Sequence, residues 1–330
     1  MDKIWHKLYD YESKDLIERY IEKNHNRKAS KRQITEISSN FIQGREFFRN
    51  SEKANFSVKP LLLYYGVNSI SRGLILLLNP HLSESSLKPS HGLDTINWRD
   101  YISNNNIINL PVEIKKGAFY ELIKETKNLS YLKLNSNGVN WNATFPMPNL
   151  NNRFTLSDLI QSFPDLTIEY NKWTSDNLHP LKIESFDNEN NVYKFKICKY
   201  NINISNIQDT LDNKFEIINI VELQNYFELT ISQDFVPQFT QSINQDPFES
   251  GTVVISKIIN GNIYLNSLSQ FYCLSFFLGM LSRYFPSYWV NVNKTEKGDC
   301  IYPLFLKSLD LISKEYPKLI AEFLDNPRKK

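Results

Sequence analysis

Cysteine is scarce in this chain: three in 330 residues, at Cys198, Cys273 and Cys300. They are odd in number and far apart, with no CxxC pair and no histidine at metal-binding spacing. That excludes a disulfide framework and a zinc ribbon. Neither sign of charge is in excess, since 38 Lys and Arg against 36 Asp and Glu leave a formal +2. Such a balance provides no broad field to gather nucleic acid or anionic lipid, although a local basic patch fits within it. The opening stretch MDKIWHKLYDYESKD carries charges where a signal peptide needs an apolar core, so a cytoplasmic chain with reduced thiols is expected. There is no phosphate-loop Gly-Lys, no Gly-x-Gly-x-x-Gly, no His-Glu-x-x-His and no Gly-x-Ser-x-Gly. The common nucleotide, zinc-protease and hydrolase readings therefore lose their support, and neither a cofactor nor a metal is expected.

What the chain has instead is apolar and aromatic bulk. Hydrophobic residues make up 41% and aromatics 13%, including 18 Tyr and 21 Phe, which is the composition of a folded chain with a sizeable core. The length suits one large domain or two interlocked subdomains. We read a single domain over 1–330, helical over 1–88, β-rich over 89–265 and helical again over 266–330. The fold class is α+β, with N- and C-terminal helices packed together around a mostly antiparallel β middle.

Residues 14–24 form a charged amphipathic helix. A second helix spans 33–53, because Ile37, Phe41, Gly44 and Phe48 recur at steps of four, three and four on one face. The run KPLLLYYGVNSISRGLILLLNP, Lys59 to Pro80, is a third, with Pro60 in its first turn and Asn79-Pro80 ending it. On it Gly66, Ser69 and Gly73 form a stripe that admits a second helix closely, from this chain or from a second copy in a homodimer. Residues 61–78 and 271–281 are apolar, but polar groups in the first and the shortness of the second make them core helices, not membrane spans.

The chain turns polar and loop-like over 80–109. Strands are predicted at 110–114, 131–135, 192–198, 215–223, 226–231, 251–258 and 262–265, with an Asn260-Gly261 hairpin between the last two. A short helix falls near 156–162, and longer ones at 267–285 and 302–324.

Three blocks carry a family resemblance: Lys59 to Pro80, the tripeptide His91-Gly92-Leu93, and FFLGMLSRYFPSYW from Phe276 to Trp289. With VEIKKGAFYEL at Val112 to Leu122 as a weaker fourth, the chain resembles the YaaC-like family of uncharacterised bacterial proteins. The resemblance covers most of the chain and is strongest in the two helical blocks. It implies a bacterial, soluble, intracellular setting, and it brings no established activity, cofactor or catalytic residue.

Candidate site residues follow from chemistry. Arg72 lies deep in an apolar run, where an unneutralised guanidinium is costly, so a partner is expected for it. If the terminal helices pair, Arg72 and Arg283 converge near His91 and bind a phosphate or carboxylate. The competing reading ties these arginines to helix carbonyls or to Glu46. His91 sits in a loop, where a histidine serves as general acid or base, or else stabilises the turn; no nucleophile motif accompanies it. Asp100 with Glu113 and Lys115 has the rough form of a restriction-type nuclease core, two carboxylates for Mg²⁺ and a lysine for the attacking water. Acid-x-Lys is common on solvent-facing strands, however, and the usual proline-acid pair is missing. Arg45, Arg49 and Asn50 resemble part of a HEPN-type ribonuclease motif whose companion histidine is absent. Tyr64-Tyr65 and Tyr284 to Trp289 are aromatic enough to stack bases, yet their apolar setting favours core packing. The sequence reading is a non-enzymatic interaction or accessory component, with a protein partner or a homodimer. The alternative is an enzyme acting on nucleic acid or nucleotides, such as a phage-defence nuclease, or a binder of a phosphate-bearing ligand.

Overall fold

The computed structural model describes residues 2–132, 141–189, 192–199, 201–211, 217–232, 243–245, 253–257, 259, 263–292 and 299–325. Four helices open the chain: α1 (Asp2–Leu8), α2 (Lys14–His25), α3 (Lys31–Lys53) and α4 (Lys59–Leu78). Serine side chains cap two of them, Ser30 Oγ accepting the Gln33 N–H at 3.1 Å and Ser13 Oγ the Leu16 N–H at 3.5 Å. Pro60 occupies the first turn of α4, and Asn79, in an extended conformation, ends it.

The small-residue stripe of α4 is filled by α3. A Cβ on Gly66 would lie 2.8 Å from the Phe48 ring and one on Gly73 2.9 Å from the Phe41 ring. Reciprocally, a Cβ on Gly44 of α3 would meet Ile70 at 2.3 Å, and Ser69 donates to Gln43 Oε1 at 3.2 Å. The second helix that the stripe admits thus belongs to the same chain, and a homodimer needs another surface.

The C-terminal helices are α10 (Ser267–Tyr284), α11 (Pro286–Val292) and α12 (Tyr302–Asp325). Asn266 caps α10 by accepting the Ser269 N–H at 2.9 Å. Helix α10 packs on α4 and α12, and α12 also reaches α4 and α1, so the two ends of the chain share one core. Trp289 is stacked between Phe56 and Phe305, and its indole N–H donates to the Phe56 carbonyl at 2.8 Å. Helix α4 is long and apolar enough to cross a membrane, but 72% of its most apolar window is buried inside the protein, as in a core helix.

The middle is a mixture of strands and helices. A three-stranded antiparallel sheet runs in the order β1 (Leu93–Thr95), β2 (Pro111–Ile114), β5 (Arg153–Thr155). Strands β3 (Leu129–Leu132) and β4 (Trp141–Thr144) pair separately. Helices α5 (Trp98–Ser103), α6 (Ala118–Glu125), α7 (Leu156–Ile160) and α8 (Thr167–Thr174) lie between these elements and the terminal core. A six-stranded antiparallel sheet follows, made of β6 (Leu181–Glu189), β7 (Val192–Cys198), β8 (Ile217–Glu222), β9 (Tyr226–Ser232), β10 (Ile243–Gln245) and β11 (Val253–Ile255). Its order is β10-β11-β6-β7-β9-β8. With α9 (Ile204–Leu211) it builds its own hydrophobic cluster, which includes Leu181, Phe195, Ile207, Phe227 and Leu229.

The α+β class and the packing of the terminal helices hold. Three local expectations change. The polar stretch 80–109 contains β1 and α5, because the buried Trp98 donates its indole N–H to the Pro111 carbonyl at 2.7 Å and anchors that segment to β2. Residues 263–265 are not a strand. The Asn128 side chain claims this segment, donating to the Tyr264 carbonyl at 2.8 Å and accepting the Asn266 N–H at 2.9 Å. The middle is less purely β than expected, since α5 to α9 share it with the sheets. The Asn260-Gly261 hairpin lies outside the described residues.

Candidate functional site

The loop Ser90-His91-Gly92 and the segment from Lys115 to Phe119 are locked together backbone to backbone. Lys115 N–H donates to the Gly92 carbonyl, Ala118 N–H to that of Ser90 and Phe119 N–H to that of His91, each at 2.9 Å. The last two satisfy first-turn donors of α6 that the helix leaves unpaired. Ser90 Oγ adds a bond to the Lys116 carbonyl at 3.0 Å. Such an approach requires glycine on both sides. Gly92 has φ +79°, and a Cβ on Gly117 would stand 2.5 Å from the Gly92 nitrogen.

Above this clamp the His91 imidazole meets the core through α4 and α10. Its Nδ1 is hydrogen-bonded to the Tyr64 hydroxyl. Tyr272, fully buried on α10, has its hydroxyl 2.9 Å from Asn68 Oδ1 and 3.1 Å from the His91 carbonyl, two acceptors that share its single proton. Burial raises both tyrosine pKa values, so both phenols stay protonated. Burial, then the positive charge of Arg283, lowers the His91 pKa and keeps the ring neutral.

Arg283, exposed on α10, donates to the Tyr65 hydroxyl at 2.9 Å and lies over the Tyr284 ring. His91 and Arg283 are thus brought within electrostatic reach of each other. Arg72 differs from expectation: it is half-buried on the stripe of α4 that also carries Tyr65 and Asn68, and among the described residues its guanidinium has no hydrogen bond or ion pair. Half-buried rather than buried, an arginine can keep its head in water, which removes the need for a partner.

The weaker candidates separate. Glu113, buried on β2, spends both carboxylate oxygens on cations: Oε1 pairs with Lys115, and Oε2 accepts from Arg153 Nε at 2.6 Å. Asp100 is exposed on α5. The acid that faces Glu113 across the sheet is Asp94, in direct register on β1. Arg45 is paired with Glu12 and Glu46, and Arg49 with Glu46, so that basic edge is an ion-pair network on α3. Tyr64 is buried in the core, while Tyr65 is half-buried and Tyr284 exposed.

A cleft of about 620 Å³ opens beside the clamp, lined by Lys88, Pro89, Ser90, His91, Leu93, Asp94, Lys115, Lys116, Leu150 and Asn151. Of the sequence candidates it gathers His91 and Lys115. Lys88, Asp94, Lys116 and Asn151 were not singled out, because they come from three separate stretches that only the clamp and the β1–β2 pairing bring together. Among the described residues no group of three His, Cys, Asp or Glu side chains is placed to hold a metal ion.

The helical core with an inserted antiparallel sheet, and a histidine loop pinned between two core helices and α6, define a helix-dominated α+β protein with a polar cleft at its sheet edge. A family model described as YaaC-like Protein matches residues 9–324, and the chain belongs to that family. No curated protein and no solved structure matches it.

Proposed function

We propose that this YaaC-like protein is a non-enzymatic accessory component of the cytoplasm that works by binding. The observation that carries this reading is that the reactive side chains with the right chemistry are already occupied in holding the fold. His91 is neutral, its Nδ1 taken by Tyr64 and its carbonyl by Phe119 and Tyr272. Glu113 is neutralised by Lys115 and Arg153. Arg72, Arg283 and Asp100 do not line the cleft with His91. A catalytic site needs its acid, base and charge stabilisers converging on one reacting atom, and these do not converge. The test is incubation of purified protein with short RNA, DNA and nucleotides, with and without Mg²⁺, alongside capture of partners on immobilised protein. No turnover is expected; robust turnover that disappears in a folded His91→Ala variant would sink the reading.

One observation favours a second reading, a nucleotide- or nucleic-acid-processing enzyme. Asp94 stands opposite Glu113 on paired strands, with Lys115 two residues further on the same face, so Asp94 takes the place given to Asp100. That chemistry requires Glu113 to be released from both cations. It predicts Mg²⁺-dependent turnover abolished by Glu113→Gln and by Asp94→Asn.

A further inference from the structure

We propose that the cleft between the His91 loop and the β1–β2 sheet edge is a binding site for a phosphorylated small molecule of nucleotide size. The inference deepens the binding reading above and rests on it only for the claim that the ligand leaves unchanged.

Three observations carry it. The first is charge. Lys88 and Lys116 line the cleft, and among the described residues neither forms an ion pair. Lys115 lines it too, held in place by Asn151 Oδ1 at 3.0 Å and by Glu113. Asp94 is the one carboxylate in the lining, so the walls carry two unpaired ammonium groups, and a third paired with Glu113, against one acid. Lysines without carboxylate partners, turned toward one concavity, are donors and charges left for an anion.

The second is preorganisation. The four bonds that join Ser90, His91 and Gly92 to Lys115 through Phe119 fix both walls before any ligand arrives, and glycines at 92 and 117 make that closeness possible. A site that need not be ordered on binding loses less affinity to entropy. The Tyr64 bond likewise holds the His91 ring in place, with Nε2 left without a partner among the described residues.

The third is size and composition. About 620 Å³ far exceeds a lone phosphate and falls in the range of roughly 300–1,000 Å³ usual for small-molecule sites. Pro89, Leu93 and Leu150 give apolar wall for the rest of the ligand, while Asp94 and Ser90 offer acceptors for hydroxyl or amine groups. A nucleic-acid strand is disfavoured, because a formal charge of only +2 leaves no broad basic field to hold a long phosphate backbone.

The experiment is calorimetric titration of the whole chain with inorganic phosphate, pyrophosphate, ribose 5-phosphate, AMP and ATP at 0.15 M salt, followed by product analysis. The nucleotides are expected to bind most tightly and pyrophosphate more weakly. A Lys88→Gln/Lys116→Gln double variant should weaken nucleotide binding at least about tenfold, with an unchanged melting temperature because neither lysine is paired. A Lys31→Gln/Lys53→Gln variant, which removes the same charge from the exposed surface of α3, should bind as the parent does. No binding of any probe at millimolar concentration overturns the site, as does equal weakening in the two double variants, which would mean diffuse attraction. Binding that depends on Lys88 and Lys116 while the nucleotide is converted to product supports the site and overturns the non-enzymatic reading, so the two fail separately.

Discussion

Gly279→Ala tests whether the α4–α10 crossing is as tight as its geometry requires. A Cβ at position 279 would lie 2.7 Å from Tyr64 Cβ, 3.0 Å from Cγ and 3.4 Å from Cδ1. Carbon atoms in contact prefer about 3.5–4.0 Å, so the helices must separate by about 1 Å or Tyr64 must shift. Two effects oppose each other. Alanine gains about 1 kcal/mol over glycine in a helix interior. Overpacking a filled core costs about 1–3 kcal/mol, and here the obstructing atoms are the rigid base of a side chain, which a rotamer change cannot move aside. Overpacking should win, for a net loss of up to about 2 kcal/mol. At about 2–4 °C per kcal/mol for a domain of 150–250 residues, a melt should show a fall of a few degrees. Because the displaced residue is Tyr64, the His91 imidazole resonances in an NMR spectrum should move as well. A variant as stable as the parent or more so, with unmoved His91 signals, would refute the packing argument at this crossing.

Replacing Arg283 by Gln should raise the His91 pKa toward its ordinary 6.5, because the guanidinium is the second cause, after burial, of its lowering; an imidazole titration by NMR that leaves His91 unmoved would contradict this. The sign for stability follows. The unfolded histidine takes up its proton near pH 6.5 and the folded one only at lower pH, so the contribution is complete above 6.5 and is lost as pH falls from there toward the folded value. Arg283→Gln should flatten that loss in denaturation curves at pH 5 to 7. Gly92→Ala forces a side chain to φ +79° with its Cβ 2.8 Å from the Phe119 nitrogen, and should cost roughly 1–3 kcal/mol in urea unfolding; an unchanged midpoint would show the clamp to be loose. Tyr316→Phe removes a 2.5 Å bond to Ser71, whose hydroxyl keeps the Val67 carbonyl at 2.6 Å, so a loss near 1 kcal/mol is expected, and one above about 3 kcal/mol would mean that the serine relay is not compensated.

The sequence made the helical core readable because its signals are local. The four-three-four spacing of Ile37, Phe41, Gly44 and Phe48, and the apolar run bounded by Pro60 and Asn79, place α3 and α4 within two residues. Strict alternation gives β7 at Val192–Cys198. Short or polar elements stay hidden: β1 has three residues, β6 reads LKIESFDNE without a clean period, and α5 depends on a Trp98 bond thirteen residues away. The site is legible only in fragments. His91 stands out as a loop histidine, but Tyr64 and Tyr272 look like core aromatics, which they also are. Asp94 is visible as the acid facing Glu113 only once the β1–β2 register is known, whereas Asp100 is nearer along the chain. Lys88 and Lys116 are two of many surface lysines until folding turns them into one cleft.

The central position of α4 bears on how the chain is made. Its cover comes from both directions in sequence: α3 is already complete when α4 leaves the ribosome, but α10 and α12 lie about 190 residues or more further on. At roughly 5–20 residues per second, the α10 face of the most apolar helix stands open for about 10–40 seconds in every round of translation. During that interval the nascent chain displays a segment that passes for a membrane span, which makes it a natural client for chaperones and a target for mistaken insertion.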